Sequence, residues 1–216
     1  MPNKAVQDIP LSVIRRLARY YRFLLSLEKG GTSKISSREL ARNMRLTASQ
    51  IRQDLSYFGG FGQQGYGYNV SQLRAELERI LYLDKRLPAI LIGVGNLGRA
   101  LMGYLAHEAQ SISLIGLFDR DPTSVLEIIS DIDIKGIEEL EEFCIEHKPE
   151  VAILCIPEKD AQAMAERLVS YGIKGFWNFS HVDLRLNQNI LVENVHLGDS
   201  LTALGFQVHI LGEENS

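Results

Sequence analysis

The sequence predicts an α/β protein made of a small helical N-terminal domain and a larger domain built around a parallel sheet. Three observations predict this fold class. Residues 88–119 follow the order strand, glycine-rich turn, helix, strand, and residues 36–58 contain two short helices that each begin with a capping sequence. The balance of charge also reverses between the two halves of the chain, so the halves differ in both secondary structure and electrostatics.

The larger domain is organised around its glycine-rich turn. An apolar run at residues 89–92 leads into this turn, and a second apolar run ends at Phe118 and Asp119. In a dinucleotide-binding turn, the first glycine allows a sharp bend, the second lets backbone amides approach a pyrophosphate, and the third lets the helix pack on the sheet. The phosphates then lie at a helix N-terminus, which favours anions. The candidate phosphate-binding residues are Gly93, Val94, Gly95, Asn96, Leu97 and Gly98.

Asp119 follows the last glycine at the distance where such folds place a carboxylate on the adenosine ribose hydroxyls. A carboxylate there repels a 2′-phosphate, so we expect NAD(H) rather than NADP(H). The neighbouring Arg120 weakens this expectation, whereas Asp121 supports it. The alternative is a tight strand-to-helix turn that binds nothing.

Further apolar runs predict the rest of the sheet. Residues 151–156 form a continuous apolar run typical of a parallel strand covered on both faces. Further strands are predicted at residues 113–118, 175–180 and 190–195, with helices at 138–147, 161–171 and 196–205 and a separate short run at 207–211. Ligands of open α/β sheets bind at the carboxyl ends of the strands. The residues expected near a bound nicotinamide are therefore Cys155, Ile156, Pro157, Asn178, Phe179, Ser180 and His181.

The N-terminal domain begins with a predicted helix at residues 9–28, followed by two short helices in helix-turn-helix spacing. Each short helix opens with a predicted capping box, Ser36 with Glu39 and Thr47 with Gln50. Polar side chains on the outer face of the second helix are suited to contact bases or phosphates. The candidate DNA-contacting residues of the helices and their turn are Arg45, Thr47, Ser49, Gln50, Arg52 and Gln53. Two-helix corners also occur in proteins that never contact DNA.

Glycines alternate with aromatic residues over residues 59–70, which predicts a β-hairpin and hence a winged helix. The hairpin tip, with Gln64, Gly65 and Tyr66, is expected along a minor groove or the DNA backbone. A surface hairpin that packs its aromatic residues on the domain is the alternative. A further helix is predicted at residues 71–83, and residues 84–88 are the expected domain boundary.

Charge and composition narrow the classes of function. Residues 1–86 hold 15 Lys and Arg against 7 Asp and Glu, while residues 87–216 hold 8 against 20, for a net charge of −4. The basic first part favours a polyanionic partner, with a solvated basic face as the alternative. We expect a cytoplasmic protein, since neither a signal peptide nor a membrane-spanning run is evident.

Neither the cysteines nor the histidines show a metal-ligand spacing. Cys144 and Cys155 lack the C-x-x-C arrangement, and Cys155 lies inside an apolar run, so buried and inert thiols are predicted. The five histidines are scattered at positions His107, His147, His181, His196 and His209.

Together these segments resemble the Rex family of bacterial redox-sensing transcriptional repressors, from Ile9 to about Phe206. The matching blocks are residues 36–41, 50–59, 65–68, 93–98, 118–119, 172–175, 178–179 and 192–195. The resemblance implies a winged-helix DNA-binding domain at residues 1–84, a Rossmann NAD(H)-binding domain at 85–195, and a C-terminal helix and tail at 196–216 that swap onto the partner of a homodimer. It also implies that each winged helix binds half of an inverted-repeat operator. NADH would favour a form that cannot bind DNA, whereas NAD⁺ would bind more weakly or favour the DNA-competent form.

Some positions depart from the family pattern. The family usually has basic residues where this chain has Gln53 and Gln64, and proline where it has His181. It also usually has aspartate followed by an aromatic residue at the positions of His196 and Leu197. In the family that aspartate belongs to a switch with an arginine and a tyrosine, which correspond here to Arg22 and Tyr104, and Asp199 is a candidate substitute for it. We further expect the partner's Leu197 to help close the nicotinamide pocket.

Three other functions are compatible with the residues. A small NAD-dependent dehydrogenase would use His181 as its acid or base, although little of the chain is left for a substrate domain. A nucleotide-binding module could instead use its basic domain to bind a protein or RNA. A winged-helix regulator with an altered or lost redox response is the third alternative.

Overall fold

The computed structural model describes residues 9–59, 67–107, 111–122 and 132–214. Its chain divides into two compact units, Met1–Lys85 and Arg86–Ser216.

The first unit is mainly helical. Its helices are α1 (Leu11–Lys29), α2 (Ser37–Met44), α3 (Ala48–Ser56) and α4 (Val70–Ile80), with two short strands, β1 (Lys34–Ile35) and β2 (Tyr68–Asn69). All four helices coincide with predicted helical segments. Apolar residues spaced for one helix face are buried together in a single core, including Leu17, Leu24, Leu40, Ile51 and Leu77.

The predicted capping box is complete at α2 but only half formed at α3. At α2 the predicted box is present in both directions, because the Ser36 hydroxyl accepts from the Glu39 amide and the Glu39 carboxylate accepts from the Ser36 amide. At α3 the Thr47 hydroxyl accepts from the Gln50 amide, with 3.1 Å between the heavy atoms. The reciprocal half of that prediction is wrong, because the Gln50 side chain donates to Asp54 instead.

The predicted hairpin lies only partly within the described residues. Tyr68 and Asn69 form β2, which pairs antiparallel with Ile35 and Lys34 of β1, a strand that the sequence did not predict. The hairpin tip, including Gln64, Gly65 and Tyr66, lies outside the described residues.

The second unit contains a six-stranded parallel sheet. Its strands are β3 (Leu87–Ile92), β4 (Ile112–Asp119), β5 (Ile134–Gly136), β6 (Val151–Leu154), β7 (Gly175–Asn178) and β8 (Leu191–Asn194). They lie in the order β5-β4-β3-β6-β7-β8. The predicted strands are confirmed, and β5 is additional. Successive strands are added outward on one side of β3 and then on the other, so the order reverses between β3 and β6, where open α/β sheets bind ligands.

Helices cover both faces of this sheet. They are α5 (Asn96–His107) on one face, with α6 (Leu140–His147, after a 3₁₀ turn at Ile137–Glu139) and α7 (Glu158–Ser170) on the other. A last helix, α8 (Leu197–Glu214), follows β8. Alternate strand residues enter two separate cores, with Ile90 and Ile92 in one and Leu91 and Ile153 in the other. This alternation explains why the predicted strands are continuous apolar runs.

The C-terminal prediction was partly wrong. Instead of a helix over 196–205 followed by a separate run at 207–211, one helix continues through Gly205 to Glu214. The apolar side chains of α8 are largely exposed in the single chain, among them Leu201, Phe206 and Leu211. Within the described segments, no helix is both long and apolar enough to cross a membrane.

Candidate functional sites

A cleft of about 300 Å³ lies where the chain leaves β3 and β6. Backbone hydrogen bonds continue past the strands there: the Gly93 amide donates to the Phe118 carbonyl and the Cys155 amide to the Ile92 carbonyl, each at 2.8 Å. The cleft is thus built on the rigid carboxyl edge of the sheet. Its lining residues are Ile92, Gly93, Gly95, Asp119, Arg120, Ile137, Cys155, Ile156, Pro157, Asp160 and Met164.

The glycines of the turn differ in what surrounds them. Gly93 has φ of +94°, in the left-handed region that favours glycine, and a side chain there would meet the Cys155 carbonyl. A Cβ on Gly98 would overlap the Gly93 carbonyl, so this glycine permits the close contact between α5 and the turn. A Cβ on Gly95 would meet nothing within 4 Å. Gly95 therefore presents an open stretch of backbone to the cleft at the start of α5.

Asp119 is held by the turn that it faces. Its Oδ2 accepts from the Val94 amide at 2.7 Å, and its Oδ1 accepts from the Asp121 amide at 3.0 Å. Each carboxylate oxygen has two lone pairs, so both retain the capacity to accept a hydroxyl hydrogen. The acid thus fixes the end of β4 against the glycine turn and can also bind a diol.

The other charged groups of the cleft are paired across it. Arg120 Nη2 lies 3.1 Å from Asp160 Oδ2, which joins the end of β4 to the first turn of α7. Asp160 was not among the predicted site residues.

Cys155 borders the cleft but is a poor nucleophile. Burial raises the pKa of its thiol to about 12, so the thiolate is scarce near neutral pH. Cys144 is buried in the core, and burial raises the pKa of its thiol as well. Among the described residues, no group of three or more His, Cys, Asp or Glu side chains is arranged to hold a metal ion.

Several predicted cofactor residues form the structure behind the cleft rather than its lining. Both amide hydrogens of the buried Asn178 are donated within the protein, to the Val182 carbonyl at 2.7 Å and to Asn194 Oδ1 at 2.9 Å. The Ser180 hydroxyl donates to the Ile156 carbonyl at 2.9 Å, and Phe179 packs in the core beside Trp177. These residues fix the segment that follows β6. The others that do not line the cleft are Val94, Asn96, Leu97 and Gly98 of the turn and α5.

Four lining residues were missed by the sequence analysis, namely Ile92, Ile137, Asp160 and Met164. Ile92 is the last residue of β3, and its apolar run with the following turn was a usable signal. The others come from elements whose approach to the cleft depends on the chain crossovers, and no local pattern marks them.

The residues assigned to a switch lie on two units. Arg22 is exposed on α1 of the first unit, and Tyr104 is half exposed on α5 of the second. His196 Nε2 lies 2.9 Å from Asp183 Oδ1, just before α8. The hydrogen bond from His196 to Asp183 raises the pKa of the imidazole, and the charges of Asp183 and Asp199 act in the same direction.

Three other residues named in the sequence analysis are also exposed. His181 is exposed in the loop after β7, and Leu197 and Asp199 are exposed at the start of α8.

On the first unit, α3 presents a polar face to solvent. Ser49, Arg52 and Gln53 are exposed, as are Arg45 and Thr47 at the turn before it. Gln50 is less available, because its Nε2 donates to Asp54 Oδ1 at 2.8 Å. The geometry therefore separates Gln50 from the other predicted DNA-contacting residues of this helix.

A buried carboxylate, missed by the sequence analysis, joins α3 to α1. Asp54 is fully buried and accepts from Arg16 Nε at 2.6 Å, Arg16 Nη2 at 2.8 Å and the Tyr20 hydroxyl at 2.7 Å, besides Gln50. Burial alone would raise the pKa of the Asp54 carboxyl, but the hydrogen bonds from Arg16, Tyr20 and Gln50 outweigh it and lower this pKa. Asp54 shares the inner face of α3 with Ile51 and Leu55, and this placement was the available signal.

Comparisons with known proteins match both units. A family model described as putative DNA-binding protein N-terminus matches residues 8–56, and one described as CoA binding domain matches residues 84–182. A protein named redox-sensing transcriptional repressor Rex from a Thermoanaerobacter species is 48% identical over 201 residues, covering 93% of this chain and 90% of its own length. A Clostridium beijerinckii protein of the same name is 42% identical over 210 residues, covering 97% and 98%.

Solved structures agree with this match. A crystal structure of RSP, described as a Rex-family repressor, has a TM-score of 0.88 and 44% identity, covering 96% of this chain and 98% of that one. Its complex with β-NAD⁺ and operator DNA has a TM-score of 0.86 and 46% identity, covering 96% and 95%. Its complex with β-NADH has a TM-score of 0.86 and 43% identity, covering 97% and 99%. The chain therefore belongs to the Rex family of redox-sensing transcriptional repressors.

Proposed function

We propose that this chain is a DNA-binding repressor that senses the NADH/NAD⁺ ratio, binds an inverted-repeat operator as a homodimer and releases it when NADH binds. The observation that carries the proposal is its near full-length similarity to RSP, which has been solved both with NAD⁺ and operator DNA and with NADH. The nucleotide cleft and the exposed helix α3 lie in the same chain, as such a function requires. An enzymatic role has no support from the relatives that span nearly the whole chain, since they are named repressors.

The cleft fits a dinucleotide. The open backbone at Gly95 and the N-terminus of α5 suit a pyrophosphate, and the carboxylate of Asp119 suits the adenosine ribose hydroxyls. Arg120 lies beside that ribose position. We assign the nicotinamide end to Cys155, Ile156 and Pro157, with Asn178, Phe179 and Ser180 supporting them from behind.

The polar face of α3 fits a DNA groove. Arg45, Thr47, Ser49, Arg52 and Gln53 are exposed and supply cationic and hydrogen-bonding groups for phosphates and base edges. We assign the wing contacts to Gln64, Gly65 and Tyr66. Glutamine at positions 53 and 64 supplies fewer cations than the family pattern, so a shallower salt dependence of binding is expected.

We assign residues 1–84 to the DNA-binding domain, 85–195 to the NAD(H)-binding domain and 196–216 to a helix that swaps onto the partner. The exposed apolar side chains along α8 support this assignment, because a helix rarely leaves so many of them in water without a partner. DNA is the partner of the dimer, and the cytoplasm is the expected site of action.

A redox response requires two global states that differ in NADH affinity. Moving a two-state protein from 1:99 to 99:1 takes roughly a 10⁴-fold difference in affinity, or about 5.5 kcal/mol, which two symmetric sites can share. Arg22, Tyr104, His196 and Leu197 are the residues that we assign to the change of state.

Selection of duplexes from a random pool tests the DNA-binding half of this function. We expect recovery of an inverted repeat, and weaker binding by Arg52→Ala than by the matched control Arg79→Ala, whose arginine lies on α4. Failure to select any duplex would contradict a repressor and favour a module that binds protein or RNA. A duplex that is bound equally with NADH and with NAD⁺ would instead indicate a winged-helix regulator whose sensing is lost.

A further inference from the structure

The cleft contains an arginine where Rossmann folds that bind NADP(H) often place one. Arg120 directly follows Asp119 at the end of β4. An acid in this region bonds the ribose hydroxyls of NAD(H), whereas a nearby arginine accommodates the 2′-phosphate of NADP(H). The sequence at these two positions is therefore compatible with either nucleotide.

In the structure, Arg120 forms an ion pair with a carboxylate of the cleft. Arg120 Nη2 lies 3.1 Å from Oδ2 of Asp160, and both residues line the cleft. Asp160 stands in the first turn of α7, where the helix dipole favours a carboxylate. The Asp160 Oδ2 atom has no contact with solvent and no well-aligned hydrogen-bond donor. Its contact with Arg120 is therefore an ion pair, and the charge on this oxygen is poorly screened.

The two side chains of this ion pair differ in solvent exposure. The Arg120 side chain is 69% exposed, whereas that of Asp160 is 29% exposed. Arg120 can therefore move when its partner is lost, while Asp160 is held by α7. The position of the arginine depends on the carboxylate rather than the reverse.

We propose that Asp160 determines the nucleotide specificity of the cleft. It holds Arg120 in an ion pair and adds a second carboxylate near Asp119, so the cleft accepts a nucleotide with a free 2′-hydroxyl and rejects one with a 2′-phosphate. This inference rests on the proposed function, in which the cleft binds a nicotinamide dinucleotide.

Charge explains the discrimination. A phosphate monoester carries roughly 1.5 to 2 negative charges at neutral pH. To bind beside Asp119, it must separate Arg120 from Asp160 and leave the Asp160 carboxylate unpaired. Replacing Asp160 with a neutral residue removes that carboxylate and makes the arginine available as a phosphate ligand.

Calorimetric titration of the full-length protein with NADPH and with NADH, at one salt concentration, tests the proposal. We expect Asp160→Ala to raise the ratio of NADPH affinity to NADH affinity about tenfold over that of the wild type, the size of one charge-assisted hydrogen bond. Asp160→Asn keeps the side-chain shape and should give a gain in the same direction. Adding Arg120→Ala to Asp160→Ala should reduce the gain, because the phosphate then loses its arginine ligand.

Glu158→Ala is the matched control. Glu158 lies in the same first turn of α7, is exposed and does not line the cleft. The substitution removes the same charge without releasing Arg120, so NADPH affinity should stay near that of the wild type. An equal gain in Glu158→Ala would overturn the proposal, because it would show an effect of overall charge.

The remaining outcomes separate this proposal from the one on which it rests. If the wild type binds NADH but folded Asp160→Ala and Asp160→Asn, checked by circular dichroism, gain no NADPH affinity, the role of Asp160 is wrong and the NAD(H) site stands. If the wild type binds neither nucleotide, the proposed function itself is wrong, and the specificity role falls with it.

Discussion

Replacing Asp54 with alanine should destabilise the first unit more than breaking any surface ion pair of that unit would. The fully buried Asp54 carboxylate accepts four hydrogen bonds, two of them from the Arg16 guanidinium. Removing one partner of a buried ion pair typically costs about 3–5 kcal/mol, because the other partner is left uncompensated. The Arg16 side chain is 22% exposed and can be partly rehydrated, whereas Tyr20 is fully buried and cannot. We therefore expect a loss near the lower end, about 3 kcal/mol of the free energy of unfolding.

Urea unfolding at fixed protein concentration measures this loss. Circular dichroism follows the helices, while fluorescence of Trp177, the single tryptophan, reports the second unit. Tyr20→Phe removes one of the four hydrogen bonds and should cost about 1.5 kcal/mol. Glu76→Ala breaks an exposed ion pair with Arg79 and should cost less than about 1 kcal/mol. A cost for Asp54→Ala no larger than that for Glu76→Ala would show that the Asp54 network stabilises the fold no more than a surface ion pair does.

The same network gives a pH dependence of definite sign. The hydrogen bonds from Arg16, Tyr20 and Gln50 outweigh burial and keep the pKa of Asp54 below its ordinary value. Its contribution to the free energy of unfolding is thus complete above the ordinary carboxyl pKa and is lost as the pH falls through the lowered pKa of the folded state. The stability difference between wild type and Asp54→Ala should shrink in that acid range. A difference that is constant there would contradict the ionised state of Asp54.

Three further predictions concern the second unit. Gly98→Ala should lower the free energy of unfolding by about 2 kcal/mol, because the added methyl group overlaps the turn. Gly95→Ala should leave the free energy of unfolding within about 0.5 kcal/mol of the wild-type value and weaken NADH binding at least about tenfold. Equal effects of the two substitutions on urea unfolding would contradict this contrast. The Cys155 thiol, with its pKa raised to about 12 by burial, should react with a disulfide reagent at pH 8 far more slowly in the folded protein than in the unfolded one, because burial keeps the thiolate scarce. NMR titration should give His196 a pKa above the ordinary value of histidine, and Asp183→Asn should lower that pKa. The stabilising effect of the pair of His196 and Asp183 is present at low pH and is lost as the pH rises through the raised pKa.

Local patterns were sufficient to predict the frame of the nucleotide cleft. The strand, the glycine turn and Asp119 are close in sequence, and the reversal of strand order brings the end of β6 beside them. Asp160, Ile137 and Met164 reach the same cleft from elements that follow other strands. Their approach depends on how the crossovers pack, which no local pattern encodes.

The remaining differences have similar causes. Asp54 lies at an inward position of α3, yet a charge there becomes meaningful only when Arg16 of α1 is known to face it. Gln50 fits a capping box equally well by sequence, but the buried carboxylate of Asp54 is the acceptor for its side chain. In α8, Gly205 and the short apolar run after it suggested an interruption that the helix does not have.

The proposed function couples the redox state of a nicotinamide nucleotide to DNA binding within one chain. Fluorescence anisotropy with an operator recovered by selection, at fixed salt, with NADH and then NAD⁺ titrated in, measures that coupling directly. We expect NADH to release the duplex at concentrations where NAD⁺ does not. Gly95→Ala should still bind the duplex and should need at least about tenfold more NADH to release it. A duplex that stays bound to the wild type at saturating NADH would contradict the proposed function.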